Sequence, residues 1–230
     1  MSLSIIIKSS LLRFFASKKN NNFDLVTAKK ILYFRYDGIG DMIISTPVFR
    51  ELKLAYPLIN ISVLATEVNK DILVNNPYID QVFLNKKNRF LLDLFTLIQL
   101  RNKKYDICVD FDHSVIPHTI MRLKIINPKV IISVAKDGRY GVKGNELSMY
   151  DIYTKKLTNS HFRDIWLETL SPFGVKPKSK KYDIFCKKIQ IQLAQDFIKP
   201  YKNKILIGLN LEGSNEKKIL FDELKDICKG

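Results

Sequence analysis

The stretch of residues 30–57 reads KILYFRYDGIGDMIISTPVFRELKLAYP and contains the clearest structural pattern of the chain. Its apolar beginning, Lys30–Tyr36, has the length and composition of a buried β-strand. The glycine-rich turn Asp37–Asp41 follows, and Asp41–Tyr56 then has the spacing of an amphipathic helix. Glycines at such a turn let the backbone bend sharply and let a ligand approach the helix N-terminus. The stretch therefore predicts a strand–turn–helix unit with a candidate site at its turn.

The alternation of short apolar runs with longer amphipathic ones continues beyond this unit. It predicts further strands at Ile61–Thr66, Gln81–Leu84, Tyr105–Phe111 and Lys129–Val134, and helices at Asn88–Asn102 and Ser160–Phe173. Residues 135–160 interrupt the pattern, and the glycine-rich, basic stretch Lys136–Gly144 within them predicts a long loop. Strands that alternate with helices are typical of a parallel sheet covered on both faces. The predicted fold class is therefore α/β, with a Rossmann-like parallel sheet.

A lysine-rich segment with a proline, Lys176–Lys181, separates this pattern from a second unit that begins again with helix and strand. A helix at Ile189–Ile198, a strand at Lys204–Leu211 and a loop with a helix at Gly213–Lys229 are expected there. We predict three parts: a basic amphipathic N-terminal segment (1–24), a Rossmann-like domain (25–181), and a linker with the incomplete start of a second Rossmann-like domain (182–230).

The N-terminal segment, MSLSIIIKSSLLRFFASKK, places Leu3, Ile7, Leu11 and Phe14 near one direction of a helical wheel. Its lysines and arginine make an interfacial helix on anionic lipid one interpretation. A short helix packed on the domain, or a frayed extension, is the other interpretation. A cleaved signal peptide is not expected, because positive charge does not precede the apolar part.

The overall composition limits the classes of protein that remain. The chain has 230 residues, of which 46% are hydrophobic, so a packed core is expected rather than disorder. Lysine and arginine number 38 against 23 acidic residues, and the formal charge of +15 favours anionic partners. The three cysteines form no CxxC pair, which argues against a zinc knuckle or a disulfide framework. No apolar run is long enough to span a bilayer, and no nucleic-acid-binding motif interleaves the basic residues with aromatics.

The turn itself admits several interpretations from its residues alone. Gly38 and Gly40 match the first two glycines of a dinucleotide fingerprint, and Glu67 follows the next strand, but Ile43 stands where the third glycine belongs. Asp41 is also a favoured residue type for capping a helix. A carboxylate held at a helix N-terminus is equally suited to act as a general base.

A second acidic pair lies at the end of a predicted strand. Asp110 and Asp112 form a DxD sequence, which in some transferases holds a divalent metal, and His113 follows directly. Strand alternation would turn both carboxylates to the same side. They are then either acids at the edge of a cleft or the start of a loop.

The turn and its surroundings resemble a known family. The string Arg35-x-Asp37-x-x-Gly40-Asp41, followed by Thr46-Pro47 and Tyr56-Pro57, resembles the opening of the ADP-heptose:lipopolysaccharide heptosyltransferases, glycosyltransferase family 9. Weaker similarity continues at Lys104–Asp110 and Ile207–Gly213. The family consists of inverting glycosyltransferases with two facing Rossmann-like domains, the GT-B architecture. The resemblance implies that residues 25–181 form the N-terminal domain of that fold.

The resemblance also implies roles for individual residues. Asp41 is expected to be the catalytic base, and Arg35 to anchor acidic groups of the acceptor or to pair with Asp37. The predicted acceptor-binding residues are Arg35, Asp37, Gly38, Gly40 and His113, and the predicted donor-binding residues are Gly213, Ser214 and Lys217. No metal and no cofactor are expected, because the nucleotide sugar, ADP-heptose by this resemblance, is a substrate. The expected acceptor is lipopolysaccharide core on lipid A, and the expected location is the cytoplasm, with attachment to the inner-membrane surface as an open alternative.

Most of a donor-binding domain is missing from residues 182–230, so a non-catalytic acceptor-binding module is the alternative function. Dinucleotide and nucleic-acid binding remain further alternatives. Binding of the leaving diphosphate needs donors that are fixed around it, and Gly213, Ser214 and Lys217 would be only part of such a set.

We therefore expect the 230-residue chain alone neither to bind ADP tightly nor to turn over ADP-heptose. Isothermal titration of the purified chain with ADP measures this directly. Micromolar binding that disappears in Lys217→Ala would show a working donor site and contradict the expectation.

Overall fold

The computed structural model describes residues 3–17, 23–36, 38–85 and 89–208. The chain divides into two compact units, Met1–Phe185 and Cys186–Gly230. The domain boundaries expected from the sequence, after residues 24 and 181, stay predictions. Within the described part of the chain, no helix is long and apolar enough to cross a membrane.

The first unit alternates strands and helices along most of its length. Its helices are α1 (Leu3–Phe15), α2 (Ile39–Ala55), α3 (Phe90–Asn102), α4 (Pro117–Ile126) and α5 (Phe162–Leu167), and α5 continues as a 3-10 turn over Glu168–Phe173. Its described strands are β1 (Lys30–Phe34), β2 (Asn60–Ala65), β3 (Gln81–Leu84), β4 (Ile107–Asp110), β5 (Val130–Ser133) and β6 (Ile152–Tyr153).

These strands form one sheet in the order β3-β2-β1-β4-β5-β6, and every described pair is parallel. The predicted Rossmann-like parallel sheet is therefore confirmed. Strand β1 is central, because Phe34 stands in register with Leu64 of β2 on one side and with Asp110 of β4 on the other. The strand order reverses between β1 and β4, and ligands of open α/β sheets bind at the carboxyl edge of such a switch point.

The sheet separates two hydrophobic cores, because successive side chains of a strand point to opposite faces. Ile31 and Tyr33 of β1 join a core that α2 and α5 cover. Leu32 and Phe34 join a second core, to which α1, α3 and α4 contribute Leu12, Leu97, Leu100, Ile120 and Leu123. Fully buried strands explain why the sequence shows continuous apolar runs rather than alternation.

Several elements differ from the sequence expectation. Helix α4 and strand β6 were not predicted: α4 lies in a stretch for which no element was expected, and β6, with two residues, lies within the interruption at 135–160. The helix after residue 160 is capped by His161, whose Nδ1 accepts a hydrogen bond from the Arg163 amide, rather than by Ser160. Gly174 ends its 3-10 continuation at φ 69°, as expected of a C-terminal glycine.

The N-terminal segment packs on the first unit. Leu12 and Ala16 are buried in the second core, and the Arg13 guanidinium lies 3.0 Å from the Glu146 carboxylate. Lys124 of α4 donates a hydrogen bond to the Ser17 carbonyl oxygen at 2.6 Å. The packed helix, one of the two sequence interpretations, is therefore present.

The second unit, as far as it is described, contains one α-helix, α6 (Lys188–Ile198), and none of that helix's residues is buried. Residues 204–208 are exposed and form no strand, whereas the sequence predicted a strand over Lys204–Leu211. A strand needs a paired neighbour for its backbone N–H and C=O groups, and the described residues of this unit supply none. Residues 209–211 and the predicted Gly213–Lys229 elements lie outside the described residues.

One buried carboxylate joins the amino edges of three strands. Asp106 accepts hydrogen bonds from the backbone amides of Lys29 and Lys30, and its Oδ1 lies 2.7 Å from Nζ of Lys129. Burial alone would raise the pKa of Asp106, but the Lys129 and backbone hydrogen bonds outweigh it, so the pKa lies below its ordinary value.

We expect Asp106→Asn to lower the free energy of unfolding at pH 7 by about 1–3 kcal/mol. Because the folded-state pKa is lower than the unfolded-state pKa, the contribution of Asp106 is complete at neutral pH and is lost as pH falls below about 4. Urea denaturation of both proteins at pH 7 and pH 3 measures the difference. An equal deficit at the two pH values would contradict this role of the charge.

Candidate active site

Asp41 lies in the first turn of α2, directly after the carboxyl end of the central strand. Its Oδ2 accepts a hydrogen bond from the Gly38 amide at 3.3 Å, so the carboxylate caps the helix from its third position while Gly38 is the N-cap residue. The Asp41 side chain is 42% exposed. The cap and an accessible carboxylate therefore coexist in the same residue.

A buried arginine approaches Asp41 from within the domain. Arg35 is 2% exposed, and its Nη2 lies 3.3 Å from Oδ1 of Asp41. Its Nε donates to the Asp41 backbone carbonyl at 3.4 Å. With the Gly38 amide on Oδ2, these contacts hold both carboxylate oxygens in a defined orientation. Acceptor binding by Arg35 stays a prediction, and its side chain is almost completely buried.

An aromatic cluster supports Arg35. Its guanidinium carbon lies 3.9 Å from the ring centroid of Trp166 and 5.8 Å from that of Phe111. The ring of His113 packs 4.9 Å from Phe162 and 6.3 Å from Trp166, measured between centroids. The structure thus brings the predicted residues Arg35 and His113 against one side chain, Trp166, that was not among the predicted site residues. Trp166 is the only tryptophan of the chain. That rarity is the feature of the sequence that could have marked it as a candidate site residue.

The turn before Asp41 leaves open space on its outer side. A Cβ at Gly40 would meet no atom within 4 Å, and a Cβ at Gly38 would touch Oδ2 of Asp41 at 3.6 Å. Gly40 is therefore not required by crowding within the domain. Asp37, Gly213, Ser214 and Lys217 lie outside the described residues, and their predicted roles stay predictions.

The DxD pair forms a buried network rather than an open carboxylate cluster. Lys136 Nζ lies 2.9 Å from Asp110 Oδ2, and both side chains are almost completely buried. Tyr150 donates its hydroxyl to the same oxygen at 2.8 Å, and Asp112 Oδ2 accepts from Thr119 at 2.9 Å. Among the described residues, no group of three or more histidine, cysteine or acidic side chains is placed to hold a metal ion.

This network fixes the loop after β5 to the end of β4. Lys136 also donates to the Asp112 carbonyl oxygen at 2.6 Å, and Gly144 approaches the Lys136 carbonyl so closely that a Cβ there would lie 2.1 Å from its oxygen. Burial raises the pKa of the Tyr150 hydroxyl well above its ordinary value, and the charge of Asp110 raises it further. Tyr150 therefore remains a hydrogen-bond donor to Asp110.

Removing one partner of this ion pair leaves the other charge buried. We expect Lys136→Met to lower the free energy of unfolding by about 3–5 kcal/mol. The double variant with Asp110→Asn should recover part of that loss, because it no longer buries an unpaired charge. Urea denaturation of the two single variants and of the double variant gives the comparison.

The matched control is Lys156→Met, which breaks an exposed pair with Asp137 and should cost less than about 1 kcal/mol. A double variant as unstable as the sum of its single changes would exclude the ion pair as the cause.

Solved structures share this fold. The structure described as the glycosyl transferase family 9 from Veillonella parvula DSM 2008 aligns with a TM-score of 0.67 and 22% identity, over 85% of this chain and 57% of that chain. E. coli heptosyltransferase WaaC with ADP aligns with a TM-score of 0.56 and 15% identity, over 67% of this chain and 50% of that one. E. coli ADP-heptose lps heptosyltransferase II gives a TM-score of 0.52 and 15% identity, over 74% and 50%.

At these identities the likeness shows the fold alone, and it confirms the fold that the resemblance implied. The chain spans about half the length of these structures. No protein-family model and no curated protein sequence matches it.

Proposed function

We propose that the chain is the acceptor-side half of a glycosyltransferase that moves a heptose, or a related sugar, from a nucleotide sugar to lipopolysaccharide core. The observation that carries this proposal is the Asp41 carboxylate. It lies at the carboxyl edge of the central strand, is fixed through both oxygens and remains accessible. The fold is shared with a heptosyltransferase solved with ADP, which supports a nucleotide sugar as donor.

The proposed reaction is a single inverting displacement. The acceptor hydroxyl oxygen forms a bond to the anomeric carbon of the donor while the bond from that carbon to the diphosphate oxygen breaks. The nucleoside diphosphate leaves with the electron pair, and the hydroxyl proton passes to the Asp41 carboxylate. A positioned general base of this kind contributes roughly 10²–10⁴ in rate.

Arg35 and Trp166 are positioning residues in this proposal. The guanidinium orients the carboxylate through Oδ1, and the Trp166 ring under the guanidinium limits where Arg35 can lie. Arginine stacks on an aromatic face and stays charged, which suits a buried site of this shape. His113, which packs against the same tryptophan, is proposed to contact the acceptor sugar.

The donor diphosphate is proposed to bind Gly213, Ser214 and Lys217, on the basis of the family resemblance. Backbone amides at a helix start and a lysine would stabilise the charge of the leaving group. The acceptor is anchored in lipid, so we expect the protein to act in the cytoplasm at the inner-membrane surface.

We expect Asp41→Asn to lower kcat for heptose transfer from ADP-heptose by roughly 10²–10⁴. The asparagine amide oxygen can still accept from Gly38, so the melting temperature should change little. The assay uses the full-length enzyme, or this chain reconstituted with a donor half. Asp71→Asn, an exposed aspartate in the first turn of another helical segment, is the matched control and should keep full activity.

A merely capping Asp41 predicts the opposite pattern: near-normal kcat with a small loss of stability. Full activity of Asp41→Asn would therefore remove this residue from the mechanism.

A further inference from the structure

Three neighbouring helices leave apolar side chains uncovered on one face of the first unit. Helices α1, α3 and α4 cover the same core, and α4 packs against both of the others. Their outward apolar residues, each more than half exposed, include Leu11 and Phe14 of α1, Leu91 and Phe95 of α3, and Met121 of α4. Single exposed apolar residues are ordinary, but such a series across adjacent helices marks an interaction surface.

Helix α1 shows that this exposure is not a failure of packing. It already buries Leu12 in the core while Leu11 and Phe14 point outward. A helix that covers a core normally has a polar outer side. An open apolar groove between α1 and α4 adds to the surface and is lined by Leu11, Phe15, Pro117 and Met121.

The charges around this surface are mainly positive. Helices α1 and α4 contain no acidic residue. Asp93, the acidic residue of α3, lies 2.9 Å from the buried Arg122 and is paired with it. Lys124 and Arg101 are exposed. Arg139 is exposed too, and its guanidinium lies 4.8 Å from the Tyr140 ring beside the groove.

The positive charge of this face distinguishes between two possible partners, a second copy of the chain and a lipid bilayer. A second copy of this chain docked through the same face would bring two positive surfaces together, which is unfavourable. A bilayer of anionic lipid offers both an apolar interior for the side chains and a negative surface for the cations. We propose that the α1–α3–α4 face, defined as the exposed side of these three helices, lies on the surface of an anionic membrane.

The α1–α3–α4 face reaches the same edge of the sheet as Asp41, as expected if the site acts on a lipid-anchored substrate. Helices α3 and α4 follow parallel strands, so their first turns, which contain Leu91 and Pro117, begin at the carboxyl edge of the sheet. Asp41 lies at the same edge. The membrane proposal itself does not depend on the proposed transferase activity, because it rests on exposure and charge alone.

The test is flotation of the full chain with vesicles of phosphatidylethanolamine and phosphatidylglycerol, and with vesicles of phosphatidylcholine alone. We expect binding to the anionic vesicles that weakens at high salt, since contacts between exposed charges are screened. Leu11→Ser with Phe14→Ser should reduce binding at least about tenfold, because two large apolar side chains no longer enter the bilayer. Leu91→Ser with Phe95→Ser should have a similar effect.

The matched control is Leu54→Ser with Leu58→Ser, two leucines that are also more than half exposed, at the end of α2 and in the turn after it, and it should bind as the parent does. Circular dichroism and melting temperature establish that every variant is folded. Binding that both helix pairs leave unchanged would overturn the proposal. So would a parent chain that ignores anionic vesicles, or sedimentation that shows a dimer lost in the Leu11 and Phe14 variant without any lipid binding.

Discussion

Strand β1 pairs in parallel on both of its edges, and this pairing determines where the two cores and the buried polar groups of the first unit lie. Because β1 lies between β2 and β4, its side chains must alternate between two closed cores. Ile31 and Tyr33 face the core under α2 and α5. Arg35 follows the same alternation beyond the end of the strand and meets Trp166. The register of the sheet therefore places a buried cation beneath the first turn of α2.

The alternation of side chains along a strand also separates two polar networks at the carboxyl edge of the sheet. In β4, Val109 and the following Phe111 face the Arg35 side, whereas Cys108 faces the other core. Asp110 shares its side with Cys108 and meets Tyr150, a member of that second core. A carboxylate on one side of the sheet is thus fixed for structure, and a carboxylate on the other side stays accessible.

The sequence predicted those parts of the molecule that depend on neighbours along the chain. Fully buried strands produce apolar runs that identify β1, β2 and β4 without further information, and the glycine-rich turn located Asp41. Helix α4 escaped prediction because its ten residues include the buried Arg122, whose polarity hides the helical pattern. Its burial is explained by Asp93 of α3 and by Asn85 after β3, which are distant from it in sequence.

The candidate site shows the same limit. Arg35 was expected to anchor acidic groups of the acceptor or to pair with Asp37, and this stays a prediction because Asp37 lies outside the described residues. The contact between Arg35 and Trp166 joins residues far apart in sequence, and no local pattern announces it. Residues 204–208 show that local composition alone is not enough. They have the composition of a strand but form none, because no described neighbour pairs with them.

The need to pair a buried charge limits which cations of the chain can be buried. Arg35, Arg122 and Lys136 are buried, and each lies within ion-pair distance of a carboxylate, because an unpaired buried charge is strongly unfavourable. Each of these pairs joins one positive and one negative side chain, so they do not account for the formal excess of +15. A net positive charge of this size attracts anions to the protein surface. Within that surface, the uncovered apolar residues of α1, α3 and α4 mark the part that we propose lies on a membrane.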